Sequence, residues 1–295
     1  MNTVIITGGS GFIGRNLREY FAPKYEILAP THKELDLLDA EAVRSFLAAH
    51  PHSIIIHTAA IGVTRKQQQD QTGIAEANTK MAANLLDASE HYEKIVLFGS
   101  GAEYGKQHDL VKVKEEEFGK VEPADDYGRS KFAISRLAED NPKAIVLRLF
   151  AVYGKYEDYA TRFISNCLCR TLLGIPVVIK QDVKFDFLFV DDLARIVEYF
   201  IENQPKHRLF NVGSGTPRTL TSIFNDVRRV TGKEVPVSIQ KPGMNKEYTC
   251  DTSRLLAELP SDFRFTDFDA SLLELYNWYQ ERIKDIDPSA IQFDK

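Results

Sequence analysis

Residues 3–14 read TVIITGGSGFIG, a β-branched run that breaks into glycines and then into an amphipathic stretch. Valine and isoleucine in a short apolar run predict a buried strand. Gly8, Gly11 and Gly14 stand in a G-x-x-G-x-x-G spacing, which predicts a tight turn onto a helix. Such a turn lets an anion approach the backbone, and the free N–H groups and dipole of the helix favour its negative charge. The ligand that fits is a dinucleotide pyrophosphate, with Gly8, Gly11, Phe12, Ile13 and Gly14 beneath it. The flanking strand and helix weigh against a plain glycine-rich turn.

The same rhythm continues outward. YEILA at 25–29, SIIIH at 53–57, KIVLF at 94–98 and AIVLRLF at 144–150 read as buried strands of the parallel type. Helical stretches are predicted near 12–21, 39–50, 74–91 and 127–140, the second opened by Asp39 as N-cap and the last followed by Pro142. A βαβαβαβαβ order implies an α/β fold, a Rossmann-type doubly wound parallel sheet with right-handed crossovers. Beyond about residue 155 the spacing changes. Helices near 158–173, 191–203, 219–231 and 269–284 alternate with short extended pieces, which predicts a smaller C-terminal α/β lobe. We therefore divide the chain into a dinucleotide-binding domain, 1–155, and a mostly substrate-binding lobe, 156–295, with part of about 180–215 returning to the sheet. The polar stretch at 106–126 reads as a solvated loop, or else the rim of a pocket.

Composition removes other classes of function. A net charge of −5 without a Lys/Arg cluster argues against nucleic-acid binding. Cys167, Cys169 and Cys250 form no C-x-x-C pair, and the only close histidines are His50 and His52, so reduced thiols and no metal are expected. No apolar run approaches the roughly 20 residues of a spanning helix, and the chain enters a strand at once. A cytoplasmic protein without membrane contact is the expectation.

At the tip of the second strand, Pro30, Thr31, His32 and Lys33 stand where an acid would bind the ribose 2′-hydroxyl of NAD. Thr31, His32 and Lys33 instead suit a 2′-phosphate, so NADP is preferred over NAD; Glu34 is the rival, able to accept from a ribose hydroxyl. Further on, Tyr127 and Lys131 in DDYGRSK lie one helical turn apart. A phenol alone is a poor acid or base at neutral pH, and a cation one turn away favours the phenolate. Ser100, at the tip of an apolar strand in LFGSGAEYG, offers a hydroxyl to the same substrate oxygen.

In these motifs the chain resembles the extended short-chain dehydrogenase/reductase family of NAD-dependent epimerase/dehydratase type. The resemblance is to its nucleotide-sugar branch, which includes GDP-fucose synthase and UDP-glucose 4-epimerase. It is carried by TGGSGFIG, LDLLD at 35–39, HTAA at 57–60, Ser100, YGRSK, FDFLFVDDLA at 185–194, NVGSGTPRTL at 211–220 and KPGMNKEYTCDTSR at 241–254. It implies a catalytic set of Ser100, Tyr127 and Lys131, and a homodimer through the helices at 74–91 and 127–140. It also places Asp36 and Leu37 beside the adenine, Ala59 and Ala60 along the dinucleotide, and Asn78 behind the nicotinamide. Each of these has a structural alternative: a helix start for Asp36, close packing for the alanines, a solvated helix position for Asn78.

The departures from the family are as informative. Its dehydratases carry an acidic pair, or at least a glutamate, in the two positions after the catalytic hydroxyl; here stand Gly101 and Ala102, with Glu103 one residue late. GDP-fucose synthases use a cysteine and a histidine where this chain has Ala102 and Arg162. Neither residue can exchange a proton with carbon. A phosphate-binding arginine is replaced by Phe185 beside Lys184, whereas Lys241 matches a basic position and Arg162 or Arg170 offers further charge. Arg162, Lys184 and Lys241, with Ser100, are therefore the substrate-binding candidates. The expected activity is NADP-dependent reduction of a 4-keto nucleotide sugar. The alternatives are an NAD-retaining 4-epimerase and a non-catalytic cofactor sensor.

Overall fold

A computed structural model describes residues 3–61 and 73–291. Its central sheet contains β1 (Thr3–Thr7), β2 (Glu26–Leu28), β3 (Ser53–His57) and β4 (Tyr92–Ser100). After β5 (Leu110–Val113), which lies elsewhere, β6 (Ala144–Leu149) joins the same sheet, and the chain later runs through β7 (Ala151–Tyr153), β8 (Val177–Asp182), β9 (Lys184–Phe185) and β10 (Phe187–Phe189). The sheet is completed by β11 (Leu209–Val212), so its six strands lie in the order β2-β1-β3-β4-β6-β11, and all neighbours are parallel.

Strand periodicity explains why these runs are apolar throughout. Val4, Ile6, Ile54, Ile56, Val96 and Phe98 face one side, where α1 (Phe12–Phe21) and α6 (Val190–Glu202) cover them. Ile5, Ile55, Ile95 and Leu97 face the other, beneath α2 (Ala40–Ala48), α3 (Ile74–Asp87) and α4 (Asp126–Glu139). Successive strand residues point to opposite faces, so a sheet covered on both sides is apolar along most of each strand, and its buried polar residues, such as Arg148 and Lys94, need partners. Each buried aliphatic side chain stabilises the fold by about 1.5–3 kcal/mol before entropy is counted. The helix α1 connects β1 to β2 across one face and α2 connects β2 to β3 across the other. The order reverses at β1, which opens a crevice at the carboxyl ends of β1 and β3.

A second core lies between α5 (Phe163–Leu173), α7 (Leu220–Thr231), α9 (Phe268–Glu281) and β8. The helix α5 begins at Phe163, not near 158, because Asp158 folds the preceding residues into a turn: its carboxylate accepts from Ala160 N at 3.1 Å and Thr161 Oγ1 at 2.8 Å. Arg170, expected as a cleft-facing cation, is instead 1% exposed and donates to Asn166 Oδ1 and the Pro176 carbonyl, both at 2.7 Å.

The stretch 106–126 is not simply a loop. It contains β5, which pairs in parallel with β14 (Tyr248–Cys250) in a sheet ordered β12-β9-β14-β5, β12 being Arg218–Thr219. The remaining elements are β13 (Val237–Met244), paired with β8, and α8 (Ser253–Glu258). The pairing of β5 with β14 brings the C-terminal segment beside the tip of β4. Among the described residues no helix is long and apolar enough to cross a membrane, and no group of three or more His, Cys, Asp or Glu side chains could hold a metal.

Candidate active site

The phosphate turn is built by close approach. Gly8 has φ +72°, and a Cβ there would lie 2.5 Å from Ala59 N; a Cβ on Gly14 would lie 2.4 Å from the Gly8 carbonyl and 2.6 Å from Thr58 Oγ1. These two glycines let α1 and the end of β3 lie directly against the turn. Gly11 is different. It is exposed, it precedes Phe12 and Ile13 as the N-cap of α1, and no side chain caps that terminus. An uncapped helix N-terminus behind a glycine turn fits a pyrophosphate. The same contacts show that Ala59 packs on Gly8, with Ala60 next along the crevice.

At the tip of β2, Glu34 is turned back on its own loop. Its carboxylate accepts from Thr31 N at 2.7 Å and Thr31 Oγ1 at 2.9 Å, and these hydrogen bonds hold it below the usual carboxylate range. Asp36 likewise accepts from Leu38 N at 2.9 Å and lies 3.8 Å from His32 Nδ1. Leu37 is buried, and its carbonyl accepts from Asn84 at 2.8 Å. Lys33 is exposed. Asn78 clamps the backbone beyond Ala60, accepting from Ile61 N at 2.8 Å and donating to the Ile61 carbonyl at 3.0 Å. In this structure its amide is therefore engaged with the loop.

Ser100 ends β4 and starts a short 3-10 turn, Gly101–Tyr104. Its Oγ accepts from Ala102 N at 3.2 Å, while Glu103 Oε1 accepts from Ser100 N at 2.7 Å. Ser-x-x-Glu here is a capping box. It swings Glu103 away from the pocket and into the core. There the carboxylate meets Arg148 Nε at 2.7 Å and Ser135 Oγ at 2.7 Å, with both charged side chains fully buried. Gly99 leaves room for this, since a Cβ on it would lie 2.3 Å from Glu103 Oε1. Tyr104 is also committed elsewhere and donates to Asn211 Oδ1 at 2.7 Å.

Tyr127 and Lys131 sit on α4, whose N-cap Asp125 accepts from Gly128 N at 3.0 Å. Tyr127 occupies the first turn and is 42% exposed. Lys131, one turn deeper, donates to the Phe98 carbonyl of β4 at 2.7 Å, which anchors the ammonium near the strand that carries Ser100. Below it His57 is buried, with Nδ1 2.8 Å from Thr7 Oγ1; burial, and then the Lys131 charge, push its pKa down to about 3 and keep the ring neutral.

The wall opposite is aromatic, and its central member, Tyr248, was not among the sequence candidates. Tyr248 Oη lies 3.3 Å from Ser100 Oγ, and the Tyr248 ring packs with Phe150 at 5.1 Å and Phe185 at 5.7 Å. A Cβ on Gly101 would lie 2.7 Å from both Tyr248 Oη and Phe150 Cε1. The small residues after Ser100 are thus not an open gap. The available signal was that very emptiness, because a glycine beside a hydroxyl at a strand tip needs something large to fill its space.

The cations expected to bind substrate are less convergent. Lys184, next to Phe185, pairs with Glu247 at 3.4 Å; Arg162 is exposed as the N-cap of α5; Lys241 is exposed on β13 opposite Gln181. None of them makes a described hydrogen bond or ion pair with the Ser100–Tyr127–Lys131 group.

Comparison with known proteins follows the same lines. The sequence pattern of the NAD dependent epimerase/dehydratase family matches residues 4–213. GDP-L-colitose synthase of Yersinia pseudotuberculosis is 26% identical over 253 residues, 78% of this chain and 82% of that protein. A crystal structure of a GDP-D-glycero-L-gluco-heptose synthase from Campylobacter jejuni, obtained in the presence of NADPH, superposes with a TM-score of 0.82 at 18% identity. It covers 95% of this chain and 98% of its own. UDP-glucose 4-epimerase of Thermotoga maritima, with UDP-glucose, gives 0.79 at 20% identity over 95% and 99%. With a pattern match across well over half its length, on a fold and a turn of the matching kind, this chain belongs to the NAD dependent epimerase/dehydratase family.

Proposed function

We propose that the protein is an NADPH-dependent reductase of a nucleotide-linked 4-keto sugar, with Ser100, Tyr127 and Lys131 as its catalytic residues. One observation carries the reading. Lys131, one turn from Tyr127, is anchored on the strand that ends in Ser100, while Glu103 and Tyr104, the acid and phenol that follow Ser100 in sequence, are engaged elsewhere. NADPH supplies the hydride when bound; Gly8, Gly11, Phe12, Ile13, Gly14, Ala59 and Ala60 would hold it, with Asp36 and Leu37 near its adenine. Ser100 donates a hydrogen bond to the ketone oxygen. Tyr127 passes its proton to the oxygen as negative charge develops there, and the Lys131 ammonium one turn away favours the phenolate left behind. Relatives that are nucleotide-sugar synthases and epimerases support the substrate class.

The test offers purified protein a panel of GDP-, dTDP-, UDP- and CDP-linked 4-keto-6-deoxysugars with NADPH in heavy water. We expect reduction at C4 and no enzyme-dependent deuterium at C3 or C5, after subtraction of enzyme-free exchange. Enzyme-dependent deuterium at either carbon would show a base that the Glu103 ion pair and the Tyr104 hydrogen bond exclude. The observation that favours a second reading is the fold shared with UDP-glucose 4-epimerases. Such an enzyme would release tightly held NAD on denaturation, whereas the reductase would yield an empty site that binds NADPH reversibly.

The preference for NADPH rests on the tip of β2, where Glu34 is occupied by Thr31 and Lys33 is exposed. Lys33→Ala, alone or with His32→Ala, is expected to weaken NADPH binding about tenfold and NADH binding little, about the value of one charge-assisted hydrogen bond. Equal loss for both cofactors in fluorescence titration would reject it. We infer in the same way a cytoplasmic homodimer through α3 and α4, where Leu137 is 43% exposed.

A further inference from the structure

We propose that Tyr248 is a positioning residue that fixes the direction of the Ser100 hydroxyl, making it an obligate donor toward the substrate oxygen. A serine hydroxyl has one proton and two acceptor sites. One acceptor side of Ser100 Oγ is turned to the backbone N–H groups of its own capping turn, with Ala102 N–H at 3.2 Å. The second faces Tyr248 Oη at 3.3 Å. That phenol sits among Phe150 and Phe185, and among the described residues Ser100 is its one hydrogen-bond partner. If Ser100 donated to Tyr248, the serine proton would be spent on the wall and the tyrosine proton would have no acceptor among the described residues. The stable polarity runs from Tyr248 O–H to Ser100 Oγ. Burial pushes the Tyr248 phenol above its ordinary range, so it remains a donor at working pH. With both acceptor sites filled, the serine proton has the pocket as its remaining direction, toward a bound carbonyl.

The strand pairing brings this arrangement about. Tyr248 arrives on β14 between β5 and β9, and Gly101 is small enough to let its hydroxyl reach the tip of β4. The inference rests on the reductase reading for what Ser100 does, but the hydrogen bond itself does not.

The experiment is a four-member cycle: wild type, Ser100→Ala, Tyr248→Phe and the double variant. Tyr248→Phe keeps the ring. Turnover on a 4-keto sugar accepted by the wild type should fall about five- to tenfold, the scale of one neutral hydrogen bond, with KM and NADPH affinity unchanged. In the Ser100→Ala background the same change should cause no further loss, because its effect passes through the serine. Full additivity, a Tyr248→Phe loss larger than that of Ser100→Ala, or wild-type turnover in Tyr248→Phe would each overturn the proposal. Melting temperatures of the four proteins are read in parallel. Tyr248→Phe should lower the midpoint by a few degrees when the serine is present and not when it has been replaced, whereas equal shifts in both backgrounds overturn the pairing. If the wild type reduced no member of the panel, the functional reading would fail while the melting cycle still decided the hydrogen bond.

Discussion

Replacing Tyr127 with phenylalanine is expected to lower turnover between about a hundredfold and ten-thousandfold, the range found when a general acid or base is removed. NADPH binding and thermal stability should stay near wild type, because Tyr127 is 42% exposed on the first turn of α4 and makes no described hydrogen bond to lose. The size of the effect follows from how the neighbouring groups are engaged, Tyr248 with Ser100 among them. Glu103 is locked to Arg148, Tyr104 to Asn211, and His57 is neutral and buried against Thr7. Steady-state rates and a fluorescence titration of NADPH together check this. A loss below tenfold would remove Tyr127 from the mechanism.

The second large effect concerns stability. Glu103→Ala leaves the Arg148 guanidinium fully buried beneath Phe118, whose ring centroid lies 3.9 Å away, with Nη2 already lacking a partner among the described groups. Removing one member of a buried pair strands the other charge, and we expect a loss of about 3–5 kcal/mol in urea denaturation. The turn that holds Ser100 should loosen with it, because Glu103 also accepts from Ser100 N. Glu103→Leu combined with Arg148→Met, which removes both charges and keeps the volume, should recover most of the stability. A single-variant loss under about 1 kcal/mol would mean that water reaches this pair.

Legibility in the sequence followed the range of the interaction that fixes each feature. The strands around Ile5, Ile55 and Ile95 show as apolar runs because burial on two faces leaves a local signature, and the Gly8–Gly14 turn shows because its demands fall on consecutive backbone positions. The strand at 110–113 did not. Val111 is 60% exposed, Lys112 has φ +46°, and the segment becomes a strand through β14, more than a hundred residues away. Arg170 had the composition of a surface cation and is buried by the packing of its helix. Glu103 stood in view as the fourth residue of a Ser-x-x-Glu box, a capping signature that explains its direction without reference to catalysis. The aromatic wall was the least visible part, since Gly101, Phe150, Phe185 and Tyr248 meet through tertiary structure alone.

Gly101 also constrains the evolutionary future of the chain. An acid at that position, the first step toward a dehydrating relative, would place its Cβ 2.7 Å from Tyr248 Oη and Phe150 Cε1. Both Phe150 and Tyr248 must therefore give way. Truncating Phe150 to alanine opens a void in a position only 6% exposed, at about 3–5 kcal/mol, and truncating Tyr248 releases the serine hydroxyl. Either intermediate is a weaker fold or a slower reductase before it gains any new chemistry. Descendants that acquired an acid at 101 would carry paired changes there and in the aromatic wall.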